Sequence, residues 1–281
     1  MKRRLLIAWL AAPLASIAFA QSIAPPTVLQ ISRESIKEGK GAAHRKVEQE
    51  YAGVMRKNNV PFHYLSLSAE SGPNEVWFMD AFTSFANMEE SDKLDSQVRN
   101  ELEPVEARDG ELRTNSHSMT AVYRPDLSYL AANAVSLGKT RYFMISTHRL
   151  RLGHEEDFTA GAKMIVSGLR KAMSDGSLIS YQVIAGAPVG TYLFLEPMGS
   201  LKDLDSEPAR DKAMADAIGS DNFRRLTKGE GDVFESIQST LFAVSPSMSY
   251  VTKETEEEDP AFWRPEPAPA KSKAKPVTST K

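Results

Sequence analysis

Along this chain, apolar and polar positions alternate with a period of two over short runs and of about 3.6 over longer ones, in a fixed order. Val28 to Ser32 is a short β-rich run. After a polar turn with Gly39 and Gly41, Val47, Tyr51, Val54 and Met55 recur at helical spacing over 43–57, with Glu, Lys and Arg between them. Pro61 ends that element. Phe62 to Ala69 alternates as a strand, Ser71-Gly72-Pro73-Asn74 signals a hairpin, and Val76 to Phe82 is the returning strand. An acidic helical stretch over 85–107 and a strand over 118–123 complete the unit.

The order then returns. Strands are predicted over 141–147, 178–185, 191–195 and 240–244, with helical stretches over 155–173 and 201–237. Residues return with it: Ile31-Ser32 as Ile145-Ser146, Arg56-Lys57 as Arg170-Lys171, Phe78 to Phe85 as Phe194 to Leu201, and Ser128-Tyr129 as Ser249-Tyr250. Their separations of 114, 114, 116 and 121 residues drift only by loop-sized insertions. So long a period means two copies of a small domain, because solenoid periods are far shorter. The expected fold class is α+β, with two tandem ferredoxin-like βαββαβ repeats at 27–130 and 140–251.

The doubled element order resembles the dimeric α/β-barrel superfamily, in which two ferredoxin-like units pack sheet against sheet. Antibiotic-biosynthesis-type monooxygenases, NIPSNAP-like proteins, haem-degrading monooxygenases and chlorite-dismutase-like proteins belong to it. The resemblance spans 27–251 and implies a fold without a reaction, since no catalytic motif is matched. It leaves two arrangements open: one chain closing a barrel by itself, or side-by-side copies completed by a homodimer.

The ends of the chain read differently. Lys2, Arg3 and Arg4, the apolar run from Leu5 and the Ala18-Phe19-Ala20 site describe a signal peptide over 1–20, and so a periplasmic or secreted protein. The run is too short for a comfortable transmembrane span. With no cysteine there is neither a lipoprotein anchor nor a disulfide framework. From 252 to 281 the Glu-, Pro- and Lys-rich composition predicts a disordered tail, with Phe262-Trp263 as its one apolar, docking pair. Removing the three n-region charges takes the formal charge from −3 to −6, which leaves no electrostatic footprint for nucleic acid.

Strand alternation supplies the candidate chemistry. Leu29, Ile31, Phe143 and Ile145 suit a face packed on helices. Their alternates Gln30, Ser32 and Glu34, with Tyr142, Met144, Ser146 and His148, would then look into the barrel of the resembled fold. Glu34 and His148 fall at equivalent positions and are the candidate catalytic acid–base pair. Tyr64 and Tyr181, taken as matching positions, join Trp77 and Tyr142 as the candidate ligand-binding aromatic lining. Asp80 and Glu196 precede helical segments and read as helix N-terminal charges.

No cofactor is predicted. Covalent haem needs C-x-x-C-H, which is absent. The resembled families imply a haem-ligating histidine on a helix, and 85–113, 155–173 and 201–237 contain none, so haem is disfavoured; His44 and His154 remain unmatched. The five histidines show no H-x-x-x-H or H-E-x-x-H spacing, so no metal site is expected. Gly186-Ala-Pro-Val-Gly190 joins two strands and reads as a hairpin turn, not a phosphate loop. These observations favour a protein that binds a small, partly apolar molecule between its sheets. The alternatives are a cofactor-independent oxygenase-type enzyme and a structural or assembly protein of the cell envelope.

Overall fold

A computed structural model describes residues 24–172 and 174–264. The expected signal peptide and the last part of the expected tail lie outside these residues. The first half runs β1 (Val28–Ile36), α1 (Gly41–Lys57), β2 (Tyr64–Ala69), β3 (Glu75–Phe82), α2 (Phe85–Gly110) and β4 (Arg113–Tyr123). The second runs β5 (Tyr142–Leu150), α3 (Glu155–Lys171), β6 (Ile179–Ala185), β7 (Thr191–Met198), α4 (Glu207–Ile218), α5 (Ser220–Val233) and β8 (Phe234–Val244). Both β4 and β8 begin earlier than predicted, at Arg113 and Phe234. Their first halves are exposed on both faces and carry no apolar alternation to read.

The eight strands close into one antiparallel barrel in the order β1-β3-β2-β8-β5-β7-β6-β4. The halves join where Leu67 pairs with Val244 across β2 and β8, and where Tyr123 pairs with Tyr181 across β4 and β6. One chain therefore closes the barrel without a second copy. In an alternating ring, β1 and β5 stand on opposite sides and run in the same direction.

The barrel interior corrects the expected assignment of faces. Leu29 and Ile31, Leu65 and Leu67, Trp77 and Met79, Met119 and Ala121, Phe143 and Ile145, Tyr181 and Val183, Leu193 and Leu195, and Phe242 and Val244 form one buried cluster drawn from every strand. The apolar face is thus the inside, and the polar alternates look outward under the helices. An eight-stranded barrel is just wide enough for side chains to fill or for one small ligand; here the side chains of all eight strands fill it, so the lumen is a packed core and not a binding space between sheets.

Short 3₁₀ straps tie each half to the other. After β4, Pro125–Leu127 leads to Tyr129, whose backbone pairs with Leu178 in both directions; after β8, Pro246–Met248 leads to Tyr250, which pairs likewise with Tyr64. The hydroxyl of Ser128 accepts from the Ser180 N–H at 2.9 Å, and that of Ser249 from the Ser66 N–H at 2.9 Å. Tyr129 donates to the Ser174 carbonyl at 2.7 Å and Tyr250 to the Val60 carbonyl at 2.7 Å.

The expectation of disorder from 252 is corrected over 252–264. Residues Lys253–Glu258 (α6) and Pro260–Trp263 (α7) are helical, capped by Thr252 and Asp259. Trp263 is buried, joins the barrel cluster, and donates from its indole nitrogen to the Gly138 carbonyl at 2.9 Å. The apolar pair expected to dock does so, and the helices that carry it order the chain as far as Arg264. The hairpin turn between β6 and β7 is borne out. Gly186 has φ +81°, and a Cβ there would fall 2.1 Å from the Ser118 carbonyl oxygen, so no other residue fits.

Candidate functional site

The outward positions of β5 and β7 face a cavity of about 620 Å³. Ser146 and His148 of β5, and Phe194 and Glu196 of β7, form its floor; Phe158, Gly161 and Ala162 of α3 and Asn222, Arg225 and Leu226 of α5 line its sides. Small residues make the space. Gly161 and Ala162 stand in α3 where the corresponding positions of α1 carry Val47 and Glu48.

Two titratable groups in this space, His148 and Glu196, are perturbed. His148 packs against Phe194 and Phe234, with ring centroids 4.8 and 5.2 Å away. Its Nδ1 is buried without a hydrogen-bond partner. Burial lowers its pKa from 6.5 to about 4, so the imidazole is neutral at physiological pH. Glu196 moves the other way, to about 7, through burial and then the negative charge of Glu207, with Arg210 opposing. A neutral imidazole and a carboxyl balanced between its two forms can accept and donate protons at one apolar surface. At the edge, His154 lies 3.3 Å from Asp157.

Glu34 sits at the matching place in the other half, and its surroundings differ. Glu34 pairs with Val76 and Ser116 as His148 pairs with Tyr192 and Ile237. Under α1 and α2 it meets His44, whose Nε2 donates to Glu34 Oε2 at 2.9 Å and lies 3.3 Å from Asp109 Oδ1. Arg113 binds the remaining oxygens, Glu34 Oε1 and Asp109 Oδ2. Glu48 completes the group, and all four acid and imidazole side chains are buried. Burial, then the charges of Asp109 and Glu34, hold the Glu48 carboxyl far above the usual range.

The acid–base pair is corrected accordingly. Glu34 and His148 project outward on opposite sides of the barrel, each beneath its own helices, and no cavity contains both. The four aromatic residues do not share a lining either. Trp77 and Tyr181 are inside the barrel, where Trp77 packs tilted against Phe242 and Tyr181 donates to the Pro26 carbonyl at 2.9 Å. Tyr64 faces outward in the cluster beneath α1, and Tyr142 lies half-buried at the start of β5, on the outward-facing parity. The residue that answers Tyr181 is Leu67, since Leu65 pairs with Met79 as Ile179 pairs with Leu195. Matching Tyr64 to Tyr181 shifts the register by an odd number, which reverses the face.

No protein-family model matches the sequence, and no curated protein does. Solved structures do resemble it in shape. A candidate monooxygenase from Fusobacterium nucleatum matches with TM-score 0.51 at 8% identity, over 79% of this chain and 94% of that one. An anthrone oxidase-like protein matches with TM-score 0.50 at 10% identity, over 80% and 94% of the two chains. The chain thus shares the dimeric α/β-barrel fold of these structures. A chlorite dismutase mutant from Candidatus Nitrospira defluvii matches with TM-score 0.49 at 12% identity, over 84% and 97%.

The expectation that no cofactor is bound, with haem disfavoured, does not stand. It rested on helices without histidine, yet His148 reaches the cavity from a strand and His154 from the N-cap of α3. Histidines thus reach the cavity from outside the helical stretches searched, and the described residues also hold a His/Glu/Asp group, so haem is not excluded. Two features escaped the search for metal ligands and cavities. His44 and Glu48 are four apart on one helical face, a spacing tested only for paired histidines. The substitution of Gly161-Ala162 for Val47-Glu48 is visible at the 114-residue offset.

Proposed function

We propose that the protein binds a small, partly apolar molecule in the cavity beneath α3 and α5, and that His148 Nδ1 accepts a hydrogen bond from a hydroxyl of that molecule. His148 lines this mostly apolar cavity and its Nδ1 is buried without a partner, and these two observations carry this reading. A buried acceptor without a partner costs about 1–3 kcal/mol, and a ligand hydroxyl would recover part of that. The phenylalanines around it, Phe158, Phe194 and Phe234, suit a planar ring. Titration with a panel of phenols, quinols and anthrones tests the reading. Affinity is expected to fall about tenfold or more in His148→Phe; equal binding by wild type and variant overturns it.

An oxygenase-type activity at the same site is the second reading, favoured by the neutral imidazole and by the monooxygenase and anthrone oxidase-like neighbours. Here His148 takes one hydroxyl proton of a quinol, the anion left behind passes two electrons to dioxygen, and that proton with the second hydroxyl proton joins the reduced oxygen, giving quinone and hydrogen peroxide. Turnover of a bound quinol in air, absent under argon and in His148→Phe, is the expected result. The reading includes export, with Gln21 as the mature N-terminus, which intact mass of the secreted protein checks. It also takes the two halves as tandem ferredoxin-like repeats, supported by the shared element order and by the Ser32–Phe78 and Ser146–Phe194 pairs.

A further inference from the structure

We propose that Glu34, His44, Glu48 and Asp109 form a site for one divalent first-row transition cation. One ligand atom from each lies within 4.8 Å of every other, which is the span of a single coordination shell. The oxygens are already sorted. Arg113 holds Glu34 Oε1 and Asp109 Oδ2, which turns Glu34 Oε2 and Asp109 Oδ1 toward His44 Nε2. A guanidinium that fixes the outer oxygens of two ligating carboxylates is a common support for a metal centre.

Two observations outside the acidic cluster's own bonds point to a missing occupant. Asp109 Oδ1 is buried and makes no hydrogen bond of good geometry, with His44 Nε2 3.3 Å away and the Glu48 carboxyl within hydrogen-bonding reach of Asp109. Tyr64 Oη, on β2 in the cluster beneath α1, is likewise buried without a partner. One imidazole nitrogen and three carboxylate oxygens suit Mn²⁺ or Fe²⁺, and Zn²⁺ less closely.

The fold does not require this arrangement. Positions corresponding to Glu34, His44, Glu48 and Arg113 carry His148, Phe158, Ala162 and Phe234 in the second half, which packs without a charge cluster.

The site is covered by α1 and α2, so the test loads metal during folding. The chain from Gln21 to Lys281 is unfolded in urea with chelator, refolded with Mn²⁺, freed of loose metal by gel filtration, and analysed by metal content, melting temperature and electron spin echo spectroscopy. Expected are about one Mn²⁺ per chain, nitrogen modulation from one imidazole, and a higher melting temperature than protein refolded with chelator. Glu48→Gln and His44→Gln should each lower Mn²⁺ affinity about tenfold or more, and His44→Gln should abolish the nitrogen modulation. Glu50→Gln, an exposed carboxylate of the same helix, should change neither. Wild-type protein that refolds fully by circular dichroism but retains no Mn²⁺, Fe²⁺ or Zn²⁺ overturns the proposal. So does retention that Glu50→Gln lowers as much as Glu48→Gln. If the cluster is ionic only, Glu48→Gln stabilises the chain with no metal dependence, which also overturns it.

Discussion

Glu48 and Ala162 occupy the eighth position of two helices of equal length, α1 and α3, which cover corresponding strands on opposite sides of the barrel. Glu48 reaches down into a buried group of acids around His44, whereas Ala162 leaves its place empty and borders the cavity. Two similar layers of helix on sheet thus hold different chemistry, and one side chain accounts for much of the difference.

Filling that place should close the cavity. Ala162→Leu is expected to lower affinity for phenolic ligands about tenfold or more and to leave stability nearly unchanged or improved, since the added methylenes enter existing space. Isothermal titration beside urea denaturation measures both. A loss of stability as large as the loss of binding would show that no usable space existed.

The two perturbed groups in the cavity predict opposing pH effects. His148 has a folded pKa of about 4 against 6.5, so the unfolded state binds more protons between these values and stability falls as pH drops from 6.5 to 4. Glu196 has a folded value of about 7 against 4.5, so the folded state binds more protons and stability falls as pH rises from 4.5 to 7. Relative to wild type, His148→Phe should lose the first dependence and Glu196→Gln the second, each by up to about 3 kcal/mol. Urea midpoints across pH 4 to 8 would show difference slopes of opposite sign; parallel curves would contradict the assignments.

The serine straps should be unequal in cost to their neighbouring tyrosines. Ser249→Ala leaves the buried Ser66 N–H without its acceptor and should destabilise by about 1–3 kcal/mol. Tyr250→Phe leaves only the Val60 carbonyl short of a donor and should cost about 1 kcal/mol. Ser128→Ala, which strands the Ser180 N–H, should resemble Ser249→Ala. Equilibrium unfolding ranks the three.

Trp263→Ala should destabilise the barrel by about 3–5 kcal/mol, because the indole is 3% exposed and packed in the barrel cluster. A change below about 1 kcal/mol would mean that the C-terminal helices undock without consequence for the rest.

The sequence by itself determined the order of strands and helices, because each element carries its own period of apolar positions and its own punctuation, as at Pro61 and Gly186. It also determined that the order occurs twice. Which face of each strand points inward was decided only by closure. Alternation separates Ile31 from Ser32 but says nothing of whether the apolar set meets helices or the opposite strands, and in this barrel the apolar set meets the opposite strands and fills the lumen. That choice turned Glu34 and His148 outward and apart. The partners each then found, His44, Glu48 and Asp109 on one side and an apolar cavity on the other, come from helices distant in sequence, and only the packing of those helices on the sheet brings them together.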